Sequence, residues 1–92
     1  MIISLDYDQT FTEDPDRWLE FANSMRFGGH QIYGITMRYP DETAGMDRKY
    51  LDACDKIFFT CRKAKWYFMA DKGIKIDVWI DDSPHWIMRD AK

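Results

Sequence analysis

Cysteine is scarce in this chain: Cys54 and Cys61 are the only two in 92 residues, and their spacing matches neither a zinc site nor a disulfide framework. Two reduced, buried thiols of an intracellular protein are expected instead. Long apolar runs are missing as well. None approaches the roughly 20 residues needed to span a bilayer, and Met1-Ile2-Ile3-Ser4 enters a strand without the basic flank of a signal peptide. No membrane association and a cytoplasmic location are therefore expected. An excess of one charge is lacking too, because the net charge is only −3. No broad basic field advertises nucleic acid or an anionic membrane, although a local patch can hide within that total. Repeats, low-complexity stretches and linkers are also absent. Residues 1–92 are expected to form a single domain, a size that buries a modest core without metal or disulfide staples.

What is present is foldable material. The chain is 46% hydrophobic and 16% aromatic with mixed charges, so order is expected throughout. Four short runs rich in β-branched and aromatic residues alternate with segments of helical period, the pattern of repeated βα units around a parallel sheet. The strands are predicted at Ile2 to Leu5, Gln31 to Thr36, Ile57 to Thr60 and Ile76 to Ile80. The first helix takes Asp14 as its N-cap and Pro15 in its first turn, and Trp18, Leu19, Phe21, Ala22 and Met25 share one face. Gly28-Gly29 stops it. Pro40-Asp41 opens a weaker helix carrying Met46, Tyr50, Leu51 and Cys54, with Gly45 blurring its start. A short helix through Trp66, Met69 and Ala70 is closed by Gly73, and Trp86 and Ile87 belong to a terminal turn over the core.

Parallel strands joined by right-handed crossovers fill a sheet outward and must return to fill its other side. The simplest result is strand order 3-2-1-4. The chain then reverses between strands one and four, and open α/β sheets bind ligands outside the carboxyl ends of strands at such a switch point. Asp6 and Asp8 end the first of those strands, and Asp81 and Asp82 end the last. Four carboxylates in one crevice repel one another, and a bound cation or shared protons resolve the conflict. A single Asp after a strand is ordinarily a solvated loop residue or cap. The grouping Asp-x-Asp-x-Thr after the first strand with Asp-Asp after the last argues instead for Mg²⁺, which takes oxygen ligands and pairs carboxylates with substrate phosphate.

Leu5-Asp6-Tyr7-Asp8-Gln9-Thr10 resembles the h-D-x-D-x-T signature that opens the haloacid dehalogenase superfamily, and three further motifs follow in order. Ile35-Thr36 is similar to the phosphate-binding second motif, a Lys after strand three to the third, and Ile80-Asp81-Asp82-Ser83-Pro84 to the acidic fourth. The resemblance runs from Ile2 to about Ile87. It implies a three-layer, Rossmann-like α/β fold with a short parallel sheet, and a phosphatase acting through an aspartyl phosphate. Carried over, Asp6 is the nucleophile and Asp8 the general acid and base, with the Asp8 backbone carbonyl rather than its side chain on the metal. Asp82 is the third metal ligand, and Asp81 helps directly or through water. Thr36 holds a phosphate oxygen, against the plainer reading of a β-branched strand residue. For the third motif Lys65 is favoured and Lys63 is the alternative, the plain reading of either being a solvated lysine. Arg38 and Arg62 follow strands two and three at the same end of the sheet and can meet further anionic groups of a substrate.

The chain departs from the larger family pattern in having no room for a cap domain. Gln9 to Asp14 holds no more than a small flap, and Arg38 to Lys56 one helix. An open site of this kind suits a phosphate on a large molecule, such as a nucleic-acid end or a protein, with nucleotides as the next choice. Two other functions compete. One is a catalytically weak regulatory or interaction module that keeps the acidic metal site; the other is a response-regulator-like receiver. The pairing of Asp6 with Asp8 after the first strand speaks against both. His30 and His85 have no partner spacing that suggests zinc or a triad, and Trp79 and Trp86 are read as core or lid packing.

Overall fold

The computed structural model describes residues 1–92. Four strands, β1 (Ile2–Leu5), β2 (Gln31–Thr36), β3 (Lys56–Phe59) and β4 (Val78–Ile80), form one all-parallel sheet in the order β3-β2-β1-β4. This is the order expected from the crossovers. Alternation along the strands divides the core in two. Ile3, Leu5 and Ile32 face helices α1 (Pro15–Phe27) and α2 (Arg48–Ala53), where Ala22, Tyr50 and Ala53 are buried with Phe11. Tyr33 and Ile35 face the other way, onto Met69 of helix α3 (Lys65–Asp71), with Ile76 and Trp79 beside them. Both faces of the sheet are thus covered, as parallel sheets require.

The apolar stripe of α1 packs as its period demands, with Trp18, Leu19, Phe21 and Met25 against the core. Asp14 precedes the helix, but its side chain makes no capping bond and pairs with Arg17 at 3.4 Å. At the other end Gly29 adopts φ +92° and the His30 N–H reaches back to the Met25 carbonyl at 3.0 Å, which terminates the helix in a left-handed turn.

The segment after β2 differs from the single helix expected there. Pro40–Thr43 forms a 3-10 turn, closed by a Tyr39 N–H bond to the Glu42 carboxylate at 2.7 Å. Gly45 then breaks the path at φ +81°. Only at Arg48 does α2 begin, capped by Asp47, which accepts the Lys49 N–H at 2.8 Å. Met46 consequently lies in the connection, and Cys54 sits just past the helix end. β4 is shorter than expected because the Asp77 carboxylate takes the Ile2 N–H at 2.8 Å, in place of a strand carbonyl. Ile76 is buried nonetheless, outside the strand.

Two details fix the site end of the sheet. The Tyr50 hydroxyl donates to the Leu5 carbonyl at 2.7 Å, anchoring α2 under the last residue of β1. This close approach depends on Gly34, where a Cβ would stand 2.5 Å from the Tyr50 hydroxyl oxygen and 2.9 Å from Cys54 Sγ. The terminal turn is a short helix, α4 (His85–Met88), in contact with α3. Beyond it Asp90 accepts the Ala64 N–H at 2.7 Å, satisfying the start of α3, and the Ala91 N–H binds the Arg62 carbonyl at 2.7 Å. No helix is long and apolar enough to cross a membrane.

Candidate functional site

Asp6 follows β1 directly and stays in the ladder through its N–H, which donates to the Ile80 carbonyl at 3.0 Å. Its carboxylate is buried beside Lys65, the first residue of α3. The Lys65 ammonium lies 2.8 Å from Asp6 Oδ1 and 2.6 Å from Asp81 Oδ2, and its side chain is only 3% exposed. Of the two candidate lysines, Lys65 is the one that reaches the carboxylates. Lys63 points outward, its ammonium 3.9 Å from Asp90 on the surface.

The turn after β1 folds Thr10 back over this pair. The Phe11 N–H bonds the Asp6 carbonyl at 3.2 Å, and Gln9 takes a left-handed φ of +61°. The Thr10 hydroxyl then lies 3.1 Å from Asp82 Oδ1 and 3.3 Å from Asp6 Oδ2, and also accepts the Asp82 N–H at 3.1 Å. One hydroxyl proton faces two carboxylates and satisfies one of them at a time. Ser83 adds its hydroxyl to Asp82 at 3.2 Å.

Oxygens of Asp6, Asp81 and Asp82 all lie within 4.8 Å of one another, so the three could hold a metal ion. Charge favours a divalent one. Three carboxylates against the single Lys65 ammonium leave two negative charges, which one hard dication neutralises. Without it, burial pushes the Asp6 carboxyl up from 3.8 to about 7, against the opposing pull of Lys65 and with Asp81 adding to the rise. Burial acts upward on Asp82 as well, but hydrogen bonds from Asp6, Thr10 and Ser83 outweigh it and hold Asp82 below the usual carboxylate range.

Asp8 does not join the triad, so three carboxylates converge rather than four. Its two oxygens are taken by Arg38, at 2.9 Å from Nε and 2.7 Å from Nη2. The physical reason is that Asp8 lies in the turn beyond β1, where strand alternation no longer aims the side chain. A planar guanidinium that matches both oxygens is within reach. Arg38 is itself fixed by a 2.7 Å bond from Nη1 to the Glu42 carbonyl and lies over the Tyr7 ring at 5.1 Å. The Asp8 carboxylate in turn holds the Arg38 guanidinium charged, above its ordinary range.

Thr36, buried at the end of β2, accepts the Arg38 N–H at 3.3 Å, which leaves its own hydroxyl proton free to donate. An open cleft of about 310 Å³ lies over these groups, and Asp6, Asp8, Thr36, Lys65, Arg62 and Trp86 are among its lining. Arg62 meets the cleft, while Arg38 contributes to it only through Asp8. Arg62 and the preceding Cys61 are both left-handed, at φ +70° and +55°, an uncommon pair for residues with a Cβ. Its side chain bonds the Met37 carbonyl at 2.7 Å and Glu42 at 3.2 Å.

Sequence reasoning missed three members of this cluster. Thr10 was visible as the last letter of its motif, and its role as the hydroxyl shared by Asp6 and Asp82 follows from the turn. Ser83 had a similar signal beside the acidic pair. Trp86 as a wall of the cleft had none, because α4 reaches it only by packing on α3. Compared with known protein families, curated proteins and solved structures, the chain matches none of them.

Proposed function

We propose that this chain is a Mg²⁺-dependent phosphohydrolase of the haloacid dehalogenase type, a capless, Rossmann-like phosphatase working through an aspartyl phosphate. The observation that carries the reading is the buried Lys65 ammonium bridging Asp6 and Asp81, with Asp82 and Thr10 alongside, at the switch point of a parallel sheet. A nucleophilic carboxylate beside a fixed cation, at the floor of an open cleft, suits attack on an anionic ester.

Asp6, Asp81 and Asp82 would hold the Mg²⁺, which supplies charge neutralisation between the carboxylate and the phosphate oxygens. Asp6 attacks phosphorus and its oxygen forms the new P–O bond, while the bond to the leaving oxygen breaks and that oxygen takes the Asp8 proton. In the second half Asp8 takes a proton from water as the water oxygen attacks phosphorus, and Asp6 leaves as a carboxylate. Lys65 keeps Asp6 in place and offsets charge on the transferring group. Thr36 donates its free hydroxyl proton to a phosphate oxygen. The open cleft suits a phosphomonoester carried by a large substrate, a nucleic-acid end above a free nucleotide.

The test is a Mg²⁺-dependent phosphate-release screen across phosphorylated oligonucleotide ends, nucleotides, phosphopeptides and sugar phosphates, run with the parent and with Asp6→Asn. Release by the parent and none by the variant is expected. Equal release from both would remove Asp6 as the nucleophile. The second reading, a metal-binding module of little turnover, is favoured by one observation, the Arg38 fork that occupies both oxygens of Asp8. Mg²⁺ binding without release from any substrate would decide for it.

A further inference from the structure

Asp8 cannot exchange a proton with a leaving group while Arg38 holds both its oxygens, at 2.9 and 2.7 Å. The pair is poised to open. Asp8 is half exposed and Arg38 about a quarter exposed, so water and solutes reach both. Arg38 does not need Asp8 to keep its position, because the Glu42 carbonyl bonds Nη1 at 2.7 Å and the Tyr7 ring lies beneath the guanidinium. Glu42 is itself tied to Arg62, which lines the cleft. The guanidinium is therefore a fixed cation beside the site, with its Nε and Nη2 donors directed at a carboxylate that an incoming phosphate can replace. A phosphate presents the same pair of acceptor oxygens to such a fork and carries more charge.

We propose that Arg38 is a specificity-determining latch: a second phosphate group on the substrate takes the Arg38 fork and frees Asp8 to act. This rests on the phosphohydrolase reading and deepens it, since it names the substrate class as a phosphomonoester bearing a further phosphate or phosphodiester. A substrate with one phosphate leaves the latch closed. Freed as a carboxylate, half exposed to water, Asp8 first takes a proton from solvent, gives it to the leaving oxygen as the P–O bond breaks, and recovers one from the attacking water. Arg38 acts through Asp8 and on the remote phosphate, and takes no part in bond making.

The experiment compares adenosine 3′,5′-bisphosphate, a 3′-phosphorylated dinucleotide and adenosine 3′-monophosphate as substrates for the parent, Arg38→Lys and Arg38→Ala, with melting curves confirming that each is folded. The parent should prefer the two substrates with a second phosphorus group. In Arg38→Ala that kcat/KM ratio should fall about tenfold to a hundredfold, the range for a charge-assisted bidentate contact. Turnover of the monophosphate should meanwhile rise, because Asp8 is released. Arg38→Lys, which keeps the charge without the fork, should fall between. The dinucleotide arm separates a nucleic-acid end from a small bisphosphate by which of the two gains more from Arg38. If Arg38→Ala is unfolded, Arg38→Lys carries the same comparison. A parent with no preference, or a variant that loses activity equally on all three, overturns the latch and leaves the phosphatase intact. Absence of Asp6-dependent release from every substrate overturns the phosphatase and the latch together.

Discussion

Two ion-pair clusters sit at the same end of the sheet and differ in almost every respect. Between β1 and β4, Lys65 is enclosed with Asp6 and Asp81, side chains 3%, 9% and 4% exposed. Beyond β2, Arg38 with Asp8 and Arg62 with Glu42 lie open to water. The first is a fixed arrangement, since low local dielectric strengthens each contact and leaves any unmatched charge costly. The second is exchangeable, because solvent and salt compete for each partner. On the proposed reading, the chemistry would belong to the first cluster and the choice of substrate to the second.

The sharpest way to break this contrast is Lys65→Met. Removing one partner of a buried pair leaves uncompensated charge and typically costs about 3–5 kcal/mol. A large drop in melting temperature is expected, partly recovered by Mg²⁺, together with loss of phosphate release. A variant as stable as the parent would show that the enclosed cluster is no more dependent on its cation than the surface one.

Asp6→Asn should act in the opposite direction on stability. The folded-state pKa of Asp6 is raised, to about 7 from 3.8. The sign follows: this group favours folding most below about pH 4, and that contribution is lost as pH rises through about 7. Without divalent cation the parent should therefore lose stability between about pH 4 and pH 7. Asp6→Asn should flatten that slope and melt higher at pH 8, by about 5 °C if the relief is near 1 kcal/mol. An unchanged slope in calorimetric melts would place the titration elsewhere.

Mg²⁺ itself should raise the melting temperature of the parent, by about 2.7 kcal/mol of stability at a hundred times its Kd. Binding should release a proton below about pH 7, seen as a buffer-dependent calorimetric heat, and Asp82→Ala should weaken it. Equal affinity in Asp82→Ala would remove that residue from the ligand set.

The smallest effect is expected from Glu42→Gln, which loosens Arg62 and the 3-10 turn in the exposed cluster. Its slight loss of stability should vanish in high salt. A salt-insensitive loss, read from denaturant midpoints, would mean that the two clusters are less distinct than their exposure indicates.

Much of the fold was legible in the residues because it depends on local and periodic causes. Strand runs, the apolar stripe of α1 and its glycine stop are short-range features, and the order 3-2-1-4 follows from handed crossovers. The segment after β2 is two elements where the pattern predicts one helix, because a glycine in sequence does not reveal its backbone conformation. In the structure the left-handed backbone of Gly45 separates them. Within the site, Asp6, Asp81, Asp82 and Lys65 come together as their motif positions suggest. The Asp8 side chain stands apart from the triad, as the motif reading has it, but its pairing with Arg38 was not legible, because a turn rather than a strand aims it.

By itself the sequence determined which acids end which strands and that a parallel sheet must reverse between the first and the last, since periodicity and crossover handedness act on neighbours along the chain. Only the tertiary structure decided that Lys65 rather than Lys63 is buried against two carboxylates, that Thr10 shares its hydroxyl between Asp6 and Asp82, and that Arg38 closes on Asp8. These are contacts between residues far apart in the chain or across a tight turn. Packing of the elements, not spacing along the chain, sets these partners.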